Sequence, residues 1–130
     1  MSYLLIALGS ALGGMARHWC TALISARLDS MFPWGTVLVN VSGSLLIGVS
    51  AALLEPGSRW GGGQAARDFV MVGLLGGYTT FSAFSLQTLQ LLRQDKWWLA
   101  CANVAGSVAA CLIAVWLGYL AVASLQKGAA

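Results

Sequence analysis

Two phenylalanines three residues apart, Phe81 and Phe84, follow directly on a run of two glycines, a tyrosine and two threonines, Gly76-Gly77-Tyr78-Thr79-Thr80. At that spacing on a helix the two rings leave one face, and Ser82 and Ser85 repeat the spacing. An aromatic ring carries a positive edge and a negative face, so two ring edges can flank a small anion where carbonyl oxygens would repel it. Paired phenylalanines in an apolar helix are usually packing. The segment before them shifts that balance, because each glycine costs a helix about 1 kcal/mol relative to alanine and threonine also disfavours it. A break in the helix is therefore expected at residues 76–80. Broken backbone at membrane depth is tolerated only where it is buried in protein or lines a cavity. Its freed carbonyls are oxygen ligands suited to a small cation.

A second polar set lies on an earlier stretch. Thr36, Asn40 and Ser44 are spaced by four and share one helix face. The Asn40 amide and the two hydroxyls can donate to a dehydrated anion. The competing role is a helix–helix hydrogen bond, about 0.6 kcal/mol on average in a membrane protein. Asn103 and Ser107, also four apart, extend this polar track. Arg17 is the one charge well inside an apolar stretch, at an insertion cost of about 2.5–3.5 kcal/mol. It either snorkels toward the interface or stands as a positive charge in an aqueous vestibule that draws anions. The carboxylates Asp29, Glu55, Asp68 and Asp95 fall in expected loops or at span ends. No intramembrane acid is left for a proton relay or a cation-attracting ring. With a single histidine, His18, no acid–base pair on one membrane face and no phosphate-binding glycine loop, an enzyme is not expected. Cys20, Cys101 and Cys111 match no metal-site spacing and read as small buried hydrophobes.

The elements that carry these residues follow from hydropathy. Of 130 residues, 58% are hydrophobic and 8% charged, against about 25% charged in a soluble domain. Four apolar runs, roughly residues 3–26, 34–54, 69–92 and 97–125, each reach the roughly 20 residues of helix that cross a bilayer. The expected fold is thus all-α, a single four-helix transmembrane domain over residues 1–130, in contact with the lipid bilayer. The prolines Pro33 and Pro56 fall in connections, and Trp34, Trp60, Trp97 and Trp98 stand at span ends as interfacial tryptophans do. Short links at 27–33 and 93–96 join antiparallel neighbours, and 55–68, with Gly57 and Gly61 to Gly63, is a longer polar connection. Met1 to Leu12 carries no basic region before its apolar run, so the first segment is expected to be retained as a span.

The net charge of +3 is scattered between apolar runs and forms no stripe for nucleic acid. Arg59, Arg67 and Lys127 fall on the side of both termini, and Arg27, Arg93 and Lys96 on the other, with Arg17 tipping the balance slightly. Because Lys and Arg counts set orientation, this equality admits two readings: a bias set by the order of insertion, or dual topology with antiparallel pairing. Gly9 and Gly13 form one GxxxG and Gly73 and Gly77 another. A weak repeat relates Gly13-Gly14 to Gly76-Gly77 and Asn40-Val41-Ser42-Gly43-Ser44 to Asn103-Val104-Ala105-Gly106-Ser107. Four helices with such narrow faces enclose little by themselves, so an oligomer is expected.

With these residues in view, the chain resembles the Fluc (CrcB) fluoride channels along nearly its whole length. The resemblance lies in Gly13-Gly14-Met15-Ala16-Arg17, in Gly35-Thr36-Val37-Leu38-Val39-Asn40 with Gly43, and in the unbroken run from Gly73 to Ser85. It implies an antiparallel, dual-topology homodimer in a microbial inner or plasma membrane, with two pores that passively export fluoride and so protect the cell. It further implies that Asn40 hydrogen-bonds fluoride and that Phe81 and Phe84 are the phenylalanine pair along the pore. Gly76 and Thr79 would offer backbone carbonyls to a structural sodium ion at the dimer interface, Arg17 would sit near a vestibule, and Thr36 and Ser107 would belong to the polar track. Ser44, Thr80, Ser82 and Asn103 complete the set of pore residues expected here. Three positions depart from the family pattern: Gln87 stands where a glutamate is frequent, Ala83 where threonine is frequent, and Asn103 where some members have tyrosine. The rival reading is a small dual-topology multidrug-type exporter, also dimeric and four-spanned, which would need an intramembrane acid.

Overall fold

The computed structural model describes residues 1–28, 31–55 and 62–127, the side chain of Lys127 excepted. The expectations placed on Asp29, Pro56, Gly57, Arg59, Trp60 and Gly61 lie outside the described residues. Among the described residues there is no strand; the chain is all-helical. Helix α1 spans Ser2–Arg27 and α2 spans Trp34–Leu53. Helix α3 covers 64–78, α4 spans Phe81–Arg93 and α5 spans Trp97–Lys127. Three helical stretches, Trp34–Leu53, Gln64–Arg93 and Trp97–Gln126, are long and apolar enough to cross a membrane. At 26 residues α1 has the length but, with Arg17 and His18 in its second half, it is less apolar.

Helix α3 opens at Gln64, where the Gly63 carbonyl accepts the Ala66 and Arg67 N–H groups at 3.0 and 3.4 Å. Asp68, expected to close a polar connection, is therefore helical and buried, its Oδ1 accepting from Gln64 Nε2 at 2.7 Å. The helix runs a full turn past the apolar stretch because these backbone and side-chain bonds, rather than hydropathy, set its start. From Asp68 to Leu75 the turns widen to i→i+5 bonding before a last α-turn at Gly76–Tyr78.

Two pairings organise the bundle: α1 lies on α3, and α2 lies on α5. Each depends on glycine for close approach. A methyl group at Gly9 would sit 2.6 Å from the Phe69 carbonyl oxygen, and one at Gly77 would sit 2.7 Å from that of Ser10. The GxxxG of α1 thus meets the GxxxG of α3. Gly48 and Gly118 do the same for α2 and α5, each set against carbonyl oxygens of the opposite helix.

The ends are closed by specific bonds. The carbonyls of the last α2 turn, which have no partner within the helix, accept from Gln126 Nε2 at Ala52 (3.2 Å) and from Arg67 Nη1 at Leu54 (3.4 Å). Between α4 and α5 the chain reverses through Asp95, which has φ 57°. The Lys96 N–H returns to the Leu91 carbonyl at 2.9 Å and that of Asp95 to Leu92 at 3.1 Å, a left-handed helix stop that leaves the two helices antiparallel.

Candidate functional site

Between α3 and α4, Thr79 (φ −82°, ψ 157°) and Thr80 (φ −150°, ψ 118°) have extended backbone. An extended residue points its N–H and C=O the same way, and one side-chain amide can satisfy both. Asn40 does this from α2: its Nδ2 donates to the Thr80 carbonyl at 3.0 Å, and its Oδ1 accepts the Thr80 N–H at 2.8 Å. The pair reproduces the double exchange of a hydrogen-bonded residue pair in an antiparallel sheet. The two threonines close the adjoining helix ends. Thr79 Oγ1 donates to the Leu75 carbonyl at 3.0 Å, and Thr80 Oγ1 caps α4 by accepting the Ala83 N–H at 3.2 Å. On the far side, Arg17 Nη1 donates to the Thr79 carbonyl at 3.4 Å. The half-buried guanidinium thus reaches the extended stretch from α1.

This arrangement alters what the backbone carbonyls can do. In an unbroken helix the Gly76 carbonyl would accept from the N–H four residues on, that of Thr80, but Asn40 takes that donor. Gly76 is exposed, and its oxygen is open to another partner. The Thr79 carbonyl accepts from Arg17 through one lone pair and keeps the second. Both are neutral oxygen donors of the type sodium binds, so the residues fit a small hard cation, with the Arg17 charge close to one of them.

Beside the extended stretch a groove of about 390 Å³ lies between α2, α4 and α5. It brings together Asn40, Ser44, Thr80, Phe81, Phe84 and Ser107, with no carboxylate in its walls. The Phe81 and Phe84 ring centroids are 5.2 Å apart at an interplanar angle of 45°. Phe84 is 8% exposed and Phe81 76%, so the outer ring stands open to whatever covers the groove. Thr36 is buried one turn from Asn40 and lies outside the groove walls, as does the exposed Ser82, whose Oγ is 3.2 Å from Thr80 Oγ1. Asn103 is 1% exposed and sits behind Ser107: its Nδ2 donates to Thr88 Oγ1 at 2.8 Å, and its Oδ1 accepts from Ser107 Oγ at 3.3 Å.

Two participants escaped sequence reasoning. Thr88 joins Asn103 to α4 and stands four residues after Phe84, so carrying the helical spacing one turn further would have found it. Ser42 Oγ lies 3.1 Å from Tyr78 Oη and steadies the last residue before the extended stretch. No sequence spacing marks that contact. The departure at Gln87 falls elsewhere, in a polar cavity of about 320 Å³ with Gln90, Gln94 and Ser25. The Gln87 Oε1 is buried without a hydrogen-bond partner among the described residues.

Comparison with known proteins adds to this geometry. Residues 4–119 match the family described as CrcB-like protein, Camphor Resistance (CrcB). The chain is 53% identical to the fluoride-specific ion channel FluC of Methylocella silvestris over 98% of its length and 97% of the relative's. It is 52% identical to the protein of the same name from Opitutus terrae, over 96% and 95% of the two chains. With that of Rhodospirillum rubrum the identity is 47% over 98% and 99%.

Proposed function

The chain belongs to the CrcB-like protein family, and we propose that it is a fluoride-selective passive channel that exports the ion and protects the cell from its toxicity. It is a multi-pass membrane protein and not an enzyme. The observation that carries the reading within the structure is the groove itself: one amide, four hydroxyls and a pair of phenylalanine rings converge there, with no acid. Asn40 has one amide N–H beyond the one bound to Thr80, and that N–H is the donor available to fluoride. The rings of Phe81 and Phe84 offer their positive edges to the ion. Ser44, Thr80 and Ser107 supply hydroxyls along the walls, and Thr36, Ser82 and Asn103 support them. Arg17 draws the anion toward the path from a vestibule.

The assembly is an antiparallel, dual-topology homodimer in which all four spans cross the inner or plasma membrane of a microbe. The groove of one chain is open and Phe81 is uncovered, which supports a second copy as the missing wall. The break between α3 and α4 serves this assembly by presenting carbonyls at membrane depth. Gly76 and Thr79 would hold a structural sodium ion at the interface, where the ion's positive charge would offset crowded carbonyl dipoles of two chains. The exporter alternative lacks the carboxylate that proton coupling needs in the groove.

The decisive experiment is ion efflux from liposomes that contain only the purified protein, read with fluoride and chloride electrodes. Rapid fluoride release without a proton gradient, and little chloride release, is expected. Release of neither ion would overturn the channel reading.

A further inference from the structure

We propose that Asn103 is a positioning residue: by turning its amide it switches the Ser107 hydroxyl between the protein interior and the groove. The inference rests on the reading of the groove as an anion path.

The hydrogen bonds behind the groove wall form a directed chain. Ser107 Oγ donates to Asn103 Oδ1 at 3.3 Å, Asn103 Nδ2 donates to Thr88 Oγ1 at 2.8 Å, and Thr88 Oγ1 donates to the Phe84 carbonyl at 2.8 Å. Every proton in it points away from the groove and toward α4. A hydroxyl has a single donor, so Ser107, which lines the groove, presents only lone pairs to it in this state. Those lone pairs repel an anion.

An amide has its donors on one side and its acceptor on the other, in nearly the same outline. Half a turn of the Asn103 side chain reverses the chain without backbone movement. Nδ2 then donates to Ser107 Oγ, the Thr88 hydroxyl turns from the Phe84 carbonyl to Oδ1, and the Ser107 proton is free to point into the groove. Three bonds exist before the turn. Afterwards the count is again three only if an anion accepts from Ser107. The Phe84 carbonyl gives up little, since the Thr88 hydroxyl is a local bond back onto its own helix. An arriving anion thus selects the reversed state, and its departure restores the first. At 1% exposure Asn103 itself is shielded from the ion, so it acts through Ser107.

The test is a double-mutant cycle in fluoride efflux from liposomes, using variants that elute as the wild type does. Ser107→Ala and Asn103→Leu should each slow efflux by on the order of tenfold, the worth of one charge-assisted hydrogen bond. The double variant should be no slower than the slower single. Thr88→Val, at a position outside the groove walls, should also slow efflux in the wild-type background and add nothing to Ser107→Ala. Losses that multiply, about a hundredfold in the double variant, would mean that Asn103 contributes packing independently of Ser107 and would overturn the proposal alone. Wild-type protein that releases no fluoride would overturn the channel reading, and this inference with it.

Discussion

Replacing Asn40 by aspartate separates two roles that the structure gives to one amide. The amide donates from Nδ2 to the Thr80 carbonyl at 3.0 Å and accepts the Thr80 N–H at 2.8 Å, which leaves a second N–H for the groove. In Asn40→Asp the ionised carboxylate keeps the acceptor but sets an oxygen against the Thr80 carbonyl. One hydrogen bond is lost and a partly buried carbonyl is left facing a like charge, a combined cost of at least about 2 kcal/mol. That lowers the equilibrium constant for holding the extended stretch in place by roughly thirtyfold, at about 1.4 kcal/mol per factor of ten. Once protonated in acid, the group donates O–H to the Thr80 carbonyl and accepts the Thr80 N–H, so the pairing returns. It has a single proton, however, and none is left for the anion. Because the carboxylate also offers the anion no donor and repels it, fluoride currents across a planar bilayer, which neutral HF does not carry, should fall about tenfold or more in neutral solution and stay low in mild acid. Thermal unfolding of the detergent-solubilised variant should recover in acid. Wild-type current in neutral solution would refute the pairing as a requirement, and full recovery of current in acid would refute the second N–H as an anion donor.

Three other outcomes are expected. Phe81→Ile and Phe84→Ile should each slow fluoride efflux while the protein elutes as before, because an aliphatic side chain fills similar space without a positive ring edge; unchanged efflux in both would remove the rings from the mechanism. Gly48→Val should destabilise the chain by about 1–3 kcal/mol or more, read as a lower unfolding temperature, since any side chain there meets the Val115 carbonyl across the α2–α5 contact. Asp95→Val should cost about 1–2 kcal/mol in the same measurement because of its φ of 57°, whereas Asp95→Gly should not; equal stability of the two would show that the left-handed stop carries no strain.

The all-helical membrane class was legible because it depends on sums over many residues: 8% charge and long apolar runs leave few alternatives. The short reversal before Trp97 was legible for the same reason, since an apolar run resumes almost at once. The start of α3 was not. Gln64–Arg67 reads as a polar connection, yet its bonds to Gly63 and from Gln64 to Asp68 make it the first turn of a helix. Hydropathy reports where the membrane ends, and hydrogen bonds decide where the helix does.

The groove shows a different limit. Spacing by three and four puts Asn40 with Ser44, and Phe81 with Phe84, on common faces, and these four do meet at one groove. Spacing cannot tell which donors are already engaged when they arrive there. Asn40 commits one N–H to a backbone carbonyl forty residues away, Ser107 directs its proton to Asn103, and Thr79 directs its own to the Leu75 carbonyl. The free donors facing the groove are therefore fewer than the polar side chains that line it. That scarcity suits conduction. An ion held by every available hydroxyl and amide would not leave, whereas a path must bind well enough to admit the ion and weakly enough to release it. On the path proposed above, an anion would meet one spare amide N–H, ring edges, and hydroxyls of which those of Ser107 and Thr79 must give up an internal partner before they can serve it.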